Sequence, residues 1–137
     1  MYLNITELIN AAERGDHKAQ CDLGGCYYRG ENVSKDINQA IFWLTKAAKK
    51  GFTEAQNNLG LILYNNTGIL KDKNKAIDWW KKAAKKKNPD ALHNLGFHYF
   101  SIKDLKKAKE NWEKAASLGH SGSVENLRLI NNPFGFY

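Results

Sequence analysis

The chain has 137 residues, 42% of them hydrophobic, with 21 Lys and Arg against 14 Asp and Glu and a net charge of +7. This length and composition indicate one ordinary globular domain, and the absence of a run of 18 apolar residues predicts that no segment spans a membrane. The positive charge is compatible with an acidic protein, a nucleic acid or a membrane surface as partner, and it selects none of them.

The N-terminal segment looks like the second half of a repeat that recurs later. Its Ala-Ala-x-x-Gly ending, from Ala11 to Gly15, returns 36 residues downstream, so residues 4–15 are predicted to form an N-terminal half-repeat. The segment has no basic leader and no apolar run before a cleavage site, which argues against a secretory signal.

Three full copies of one pattern follow. Residues 16–51, 52–87 and 88–119 align at shifts of 36 residues, and the third copy has a loop four residues shorter. Self-similarity at a period in the thirties is typical of stacked helical hairpins. We therefore predict a single repeat domain over residues 1–137, in which each copy contributes a first-type helix and then a second-type helix.

The first-type helices carry a glycine in their interior. Gly costs about 1 kcal/mol relative to Ala at such a position, so its recurrence predicts a close contact with the second-type helix of the same repeat. The three glycines are Gly24, Gly60 and Gly96.

The second-type helices are predicted to begin at an Asp, because its carboxylate can accept the free N–H groups of the first turn. These N-caps are Asp36, Asp72 and Asp104. Gly51 and Gly119 should end two of the helices in the left-handed conformation. The second repeat has Lys87-Asn88 there, and Asn88 is expected to adopt that conformation.

The C-terminal residues complete the array. Ser123 and Leu127 match Ala19 and Leu23, so residues 121–131 are predicted to be a capping first-type helix, which brings the total to eight helices. Residues 132–137 form an aromatic tail, and its two phenylalanines are expected to fold over the open end of the array. They are Phe134 and Phe136.

The first repeat matches a family pattern at twelve positions, from Ala19 to Gly51: Ala-x3-Leu-Gly-x2-Tyr, Gly, then Val-x2-Asp-x3-Ala-x2-Trp-x3-Ala-Ala-x2-Gly. The chain thereby resembles the Sel-1-like repeats, relatives of the tetratricopeptide repeat. Asn111 stands where the pattern has Trp. The resemblance implies an all-α, right-handed α-solenoid, and a family of mostly non-enzymatic adaptors without cofactors.

The resemblance also implies that first-type helices line a concave groove. Asn and Asp residues repeat along these helices beside aromatic and aliphatic residues, as an extended peptide would require. The alternative is that the amides bridge adjacent helices and the rings belong to the core. The candidate partner-binding residues are Asp22, Tyr28, Asn58, Leu61, Tyr64, His93, Asn94, Phe97, Phe100 and Asn126.

Residues 71–87 hold eight lysines, mostly on second-type helices. These are interpreted as a solvated convex face, which disfavours nucleic acid as the partner because a nucleic-acid site needs cations and aromatic residues together. Recognition of a non-protein polymer, either a nucleic acid or a peptidoglycan fragment, by this basic surface is kept as the alternative function.

Catalytic and metal-binding motifs are not apparent: HExxH, CxxC and glycine-rich phosphate loops do not occur. Cys21 and Cys26 lie about 140° apart around one helix, so both are predicted to be free thiols, which is typical of a reducing, cytoplasmic setting. We predict a non-enzymatic, cofactor-free module that holds a protein, of acidic character under one reading, in its groove. An adaptor, a chaperone and a toxin-neutralising immunity protein all fit, as a monomer or weak dimer.

Overall fold

A computed structural model describes residues 4–66 and 70–135 of the chain. Within these ranges the chain forms eight α-helices and no strand, which confirms the all-α prediction. None of the helices in the described ranges is long and apolar enough to cross a membrane. The helices are α1 (Ile5–Glu13), α2 (His17–Arg29), α3 (Ile37–Lys49), α4 (Thr53–Asn66), α5 (Leu70–Lys85), α6 (Pro89–Ser101), α7 (Leu105–Ser117) and α8 (Ser121–Asn131).

The chain divides into two compact units, Met1–Trp79 and Trp80–Tyr137. In the first unit α2 packs against both α1 and α3, and α3 packs against α4. In the second unit α7 packs against both α6 and α8. The last part of α5, from Trp80 onward, belongs to the second unit. First-type helices are α2, α4, α6 and α8, and second-type helices are α1, α3, α5 and α7.

The core of the first unit contains two clusters of buried side chains. One is built around Leu8 and Leu23, and the half-buried side chains of Ile9 and Trp43 pack against it. The other includes Leu44 and Leu59. Small residues at Ala-Ala positions of the second-type helices are almost fully buried in both clusters, which lets the helices approach closely.

Helix-interior glycines make the contacts that the sequence predicted. A Cβ added at Gly24 would lie 2.6 Å from Leu44 Cγ and 3.2 Å from the Ala40 carbonyl oxygen on α3. A Cβ at Gly96 would overlap the indole of Trp112 on α7. The prediction is therefore confirmed for these two glycines. Gly60 is buried as well, and its contact with α5 remains a prediction.

Two of the three predicted N-caps are correct. The carboxylates of Asp36 and Asp104 each accept a hydrogen bond from the backbone N–H three residues later, at 3.1 Å. The prediction for Asp72 is wrong, because α5 already begins at Leu70 and Asp72 lies within its first turn. A carboxylate in that turn still stabilises the helix through the helix dipole.

Helix ends follow the glycine prediction with one exception. Gly51 and Gly119 adopt φ values of 88° and 90°, in the left-handed region where glycine is favoured. Asn88 was expected to do the same, but Lys87 takes that conformation with φ of 61°. The reason is that Asn88 caps α6: its side chain accepts the Ala91 N–H at 2.8 Å from an extended backbone.

In the described part of the C-terminal tail, Phe134 does not close the array in the expected way. Phe134 is 77% exposed, although it was predicted to cover the apolar face of α8. Leu129 on that helix is itself 47% exposed. The prediction is therefore wrong for Phe134, while Phe136 and Tyr137 lie outside the described residues.

Candidate functional site

A pocket of about 280 Å³ lies in the first unit between the first-type helices α2 and α4. Three of the residues predicted to bind a partner, Tyr28, Asn58 and Leu61, line it. We call it the α2–α4 pocket. Its full lining is Gly25, Tyr28, Arg29, Leu44, Asn58, Leu61, Ile62 and Asn65.

Asn58 is both a lining residue and a bridge between helices. Its Nδ2 donates to the Cys21 Sγ of α2 at 3.9 Å, so for this amide the bridging alternative holds too. Burial, reinforced by the Glu54 and Asp22 carboxylates, raises the pKa of the Cys21 thiol to about 12. The sulfur is therefore a neutral acceptor, and the bond fixes the Asn58 side chain at the pocket.

Charges near the first-type helices of this unit are paired. Asp22 accepts a hydrogen bond from Lys18 Nζ at 2.9 Å, and that bond raises the pKa of the lysine amine. Lys18 Nζ also lies 3.6 Å from Glu54 Oε2 on α4. Arg29, at the pocket, forms two bonds to Glu31 at 2.9 and 3.2 Å. The predicted contact residue Asp22 is therefore engaged within the protein.

The two predicted tyrosines are half-buried. Tyr28 and Tyr64 both pack against the core of the first unit. Lysine amines lie over the two rings, that of Lys35 at 5.9 Å from the Tyr28 centroid and that of Lys73 at 5.0 Å from the Tyr64 centroid. The rings thus serve the core with one side, as the alternative interpretation expected, and Tyr28 also lines the α2–α4 pocket.

The second unit exposes two aromatic residues of its first-type helix α6. Phe97 and Phe100 on α6 are 56% and 45% exposed. Leu61 is the residue of the first unit that is equivalent to Phe97, and its side chain is 36% exposed. Asn94 and Asn126 are half-buried. Contiguous exposed apolar patches, and not single side chains, mark interaction surfaces, and Phe97 and Phe100 are neighbours at positions i and i+3 of α6.

His93 belongs to a polar cluster within the second unit. Its Nδ1 lies 2.8 Å from the Ser123 Oγ of α8, and its ring stacks on His120 with centroids 4.2 Å apart. His120 Nε2 lies 3.2 Å from Asp90 Oδ1. Burial and the neighbouring His120 lower the pKa of His93, and Asp90 opposes this shift. The ring is therefore committed to helix packing.

The same cluster brings Ser123, His120 and Asp90 together, which the sequence did not predict. The Ser123 Oγ is 3.3 Å from His120 Nδ1, but Ser123 is fully buried. A buried hydroxyl is not placed to reach a substrate. His120 instead caps α8, because its Nδ1 accepts the Ser123 backbone N–H at 3.1 Å. Among the described residues, no group of three or more His, Cys, Asp and Glu side chains is placed to hold a metal.

A second cavity, which the sequence did not predict, lies in the second unit. A cleft of about 540 Å³ lies between α5, α6 and α7, and we call it the α5–α7 cleft. The lysines of this region were interpreted as a solvated face, yet several of them line the cleft. Its lining is Lys81, Ala84, Lys85, Lys87, Leu92, Leu95, Tyr99, Asn111, Lys114, Ser117 and Leu118. The departure of Asn111 from the repeat pattern was the signal that could have revealed it.

The Sel1 repeat model matches this chain three times, at residues 17–52, 53–88 and 89–120. The chain belongs to the Sel1 repeat family. A stretch of 44 residues is 40% identical to the secretory immunoglobulin A-binding protein EsiB of Escherichia coli, over 32% of this chain and 9% of that protein. A stretch of 36 residues is 53% identical to a putative sel1-like repeat-containing protein of Acanthamoeba polyphaga mimivirus, over 26% of this chain and 6% of that protein.

Solved structures agree with the family. A protective antigen present in uropathogenic Escherichia coli strains, with an SLR fold, has a TM-score of 0.86 and 32% identity, over 94% of this chain and 28% of that one. A Sel1 repeat protein from Oxalobacter formigenes has a TM-score of 0.73 and 32% identity, over 90% and 96% of the two chains. An immunity protein from Pseudomonas aeruginosa, at 22% identity and a TM-score of 0.51, shares the fold.

Proposed function

We propose that this Sel1 repeat protein is a non-enzymatic interaction module that holds a partner polypeptide on its first-type helices. The observation that carries the proposal is the α2–α4 pocket, since repeat equivalence alone selected Tyr28, Asn58 and Leu61 and all three line it. The pocket combines the apolar side chains of Leu44, Leu61 and Ile62 with polar groups of other lining residues, and a concave site that offers both apolar surface and fixed polar groups suits a polypeptide ligand.

The second unit supports the proposal with its exposed rings. Phe97 and Phe100 present large apolar area on α6, and aromatic anchors of this kind dominate the energetics of protein interfaces. Asn94 and Tyr64 occupy positions equivalent to the pocket residues Asn58 and Tyr28, and we propose that they extend the contact in their own units.

A more specific role accompanies this proposal. We propose that the module neutralises one protein, as an immunity protein does, or carries it as an adaptor in a reducing, cytoplasmic setting. The two free thiols, Cys21 and Cys26, support the reducing setting. The immunity protein from Pseudomonas aeruginosa has the same fold, so this fold is compatible with a neutralising role.

The test begins with affinity capture from the source cell and mass spectrometry, followed by titration of the recovered partner. Phe97→Ser should weaken its binding by about thirtyfold, because loss of an interface anchor costs about 2 kcal/mol. Leu61→Ser should act in the same direction in the first unit.

Phe42→Ser is the matched control. Phe42 is 50% exposed, close to Phe97, but it lies on the second-type helix α3. Phe42→Ser should leave the affinity for the partner within twofold of the wild-type value. Circular dichroism should show that all the variants fold. Equal losses for Phe42→Ser and Phe97→Ser, or none for Phe97→Ser and Leu61→Ser, would mean that the partner binds elsewhere.

A further inference from the structure

The α5–α7 cleft combines an apolar floor with basic walls. Leu92 and Leu95 of α6 and Leu118 after α7 contribute aliphatic surface. Lys81 and Lys85 stand one helical turn apart on α5, and Lys114 stands on α7. Lys87 joins them at the end of α5, in the left-handed conformation. No Asp or Glu is among the described residues that line the cleft.

The equivalent positions of the first unit show why the cleft is open. Asn111 is equivalent to Trp43, and Lys81 is equivalent to Ile9, two repeats earlier. In the first unit, Trp43 and Ile9 pack together against the cluster around Leu8 and Leu23. In the second unit an amide and an amine replace these two apolar side chains. The replacement leaves space where the first unit has core, and it adds positive charge there.

The amines around the cleft lack anionic partners in the part of the chain that the structure describes. Lys81, Lys85, Lys87 and Lys114 are all exposed, and none of them pairs with a carboxylate among the described residues. Like charges that surround one cleft repel each other, and an anionic ligand relieves that repulsion. Asn111, whose Nδ2 donates to the Lys107 carbonyl oxygen at 2.8 Å, is an uncharged amide and contributes no negative charge to offset the lysines.

We propose that the α5–α7 cleft is a second binding site, which takes an acidic, amphipathic segment of a polypeptide. The apolar side of the segment lies on the leucine floor, and its carboxylates meet the lysines of the walls. Carboxylates at positions i and i+4 of a helix are one turn apart, as Lys81 and Lys85 are. The lysines Lys81, Lys85 and Lys114 of this site lie on the second-type helices α5 and α7, and none of its lining residues belongs to the proposed contact on the first-type helices.

Charge and chemistry favour this occupant over other polyanions. A single-stranded nucleic acid needs aromatic platforms for its bases, and Tyr99 is the only ring among the described residues that line the cleft. A flat membrane surface would contact exposed lysines anywhere on the protein, so it would gain nothing from a cavity beside them. A peptide alone uses the leucine floor and the paired lysines together.

The experiment is a selection of random 16-residue peptides displayed on phage against the full chain. The enriched peptides are then synthesised with a fluorescent label and titrated by anisotropy. We expect enrichment of Asp or Glu one turn apart beside Leu, Ile or Phe. Binding should weaken as KCl rises from about 50 to 300 mM, because the contacts are partly ionic.

Two double variants with the same change in charge decide where the peptide binds. Lys81→Gln with Lys85→Gln removes two amines that line the cleft and should weaken binding at least about tenfold. Lys82→Gln with Lys86→Gln removes two amines of the same helix that are outside the lining and should change binding less than about twofold. Equal losses in both variants would overturn the site and indicate general attraction to a basic surface.

A filling variant tests the cavity itself. Asn111→Trp restores the residue found at the equivalent position of the first unit and should abolish peptide binding while the helical spectrum persists. Unchanged binding by a folded Asn111→Trp protein would overturn the proposal. Phe97→Ser should leave peptide binding intact, and a loss there would place the peptide on the first-type helices instead.

Other occupants are tested with the same variants. The probes are a labelled 20-nucleotide oligothymidylate and vesicles of phosphatidylglycerol with phosphatidylcholine. If either probe binds with the variant pattern expected for the peptide, and the selection yields no acidic peptide, the cleft serves that polymer or surface and the proposal is wrong.

Discussion

The two units place a tryptophan differently on the second-type helix of their full repeat. In the first unit Trp43 lies beside α1 and packs against the cluster around Leu8 and Leu23. In the second unit Trp112 lies one position later, equivalent to Leu44, and its indole fills the space over Gly96. A shift of one residue turns a side chain by about 100° around a helix, so the same residue type serves two different contacts.

This difference explains both the tight and the open part of the second unit. The Trp112 indole is held by a hydrogen bond from its Nε1 to the His93 carbonyl at 3.1 Å, so α6 and α7 are locked together. The position that it vacated holds Asn111, and the α5–α7 cleft lies there. With Asn at position 111 and Trp at position 112, the large apolar side chain of α7 faces α6 and no longer fills the space that Trp43 fills in the first unit.

The largest expected effect comes from making the first unit resemble the second. Trp43→Asn removes a half-buried indole and should lower the free energy of unfolding by about 3 kcal/mol, the range measured for loss of large aromatic residues. The measurement is urea denaturation followed by circular dichroism at 222 nm.

The reciprocal change, Asn111→Trp, supplies the control. It should raise the free energy of unfolding by about 1 kcal/mol, since the new ring buries apolar area in the cleft. If Trp43→Asn left the stability unchanged, or Asn111→Trp destabilised the fold by more than about 1 kcal/mol, positions 43 and 111 would not be structurally equivalent.

A smaller effect separates the two glycine contacts. Gly96→Ala should lower the free energy of unfolding by about 2 kcal/mol, because the added methyl meets a fixed indole and overpacking costs 1–3 kcal/mol. Gly24→Ala meets the Leu44 side chain and the Ala40 carbonyl oxygen. A leucine can change rotamer more readily than an indole ring, so the loss should be smaller, about 1 kcal/mol once the gain in helix propensity is included.

Gly25→Ala is the matched control for these two variants. The atoms nearest to a Cβ at Gly25 would belong to the Arg29 guanidinium, at 3.1 Å, which is the far end of a long side chain that can move aside. Helix propensity should then dominate and stabilise the protein by up to about 1 kcal/mol. Equal costs at Gly24 and Gly96 would show that the indole is no more rigid than the leucine.

The sequence predicted what depends on periodicity and missed what depends on neighbours. Spacing of small and apolar residues predicted eight helices and the glycine contacts at Gly24 and Gly96. Asp72 and Asn88 were assigned the wrong roles, because helix ends depend on competition between adjacent capping residues. The α5–α7 cleft was missed since an amide at Asn111 opens a cavity only through the side chains that surround it.

A further comparison concerns one position that bridges first-type helices in both units. Cys21 of α2 and His93 of α6 are equivalent. Cys21 Sγ accepts the Asn58 amide of α4, and His93 Nδ1 meets the Ser123 hydroxyl of α8. The bridge of the second unit thus contains an imidazole whose pKa is lowered by burial and by the neighbouring His120, whereas the bridge of the first unit contains a thiol.

The pH dependence of stability should reveal that bridge. The pKa of His93 is lowered from 6.5 in the folded protein, so the unfolded chain binds more protons as the pH falls. The stability from neutral His93 is present above pH 6.5 and is lost as the pH falls through the lowered folded value. The groups that face His93 include His120, which favours the neutral ring, and Asp90, which opposes it.

The measurement is the urea midpoint at pH 8 and at pH 5. His93→Asn should show a smaller drop between the two than the wild type, because the titrating ring is gone. His17→Asn alters a histidine of the first unit, which contacts Phe52, and should keep the wild-type drop. An undiminished drop in His93→Asn would assign the acid sensitivity to other groups.

The last prediction concerns the reaction rate of the Cys21 thiol, at the position of the first unit that is equivalent to His93. Burial raises the pKa of Cys21 to about 12, whereas Cys26 is less buried and its pKa is raised less by the same cause. Since the thiolate is the reactive form, Cys26 should react with a disulfide reagent at pH 8 well before Cys21 does. Two thiols should react at similar rates in urea, where burial is gone. Fast modification of Cys21 in the folded protein would mean that α2 and α4 separate often, and the Asn58 bridge would then contribute little to the α2–α4 pocket.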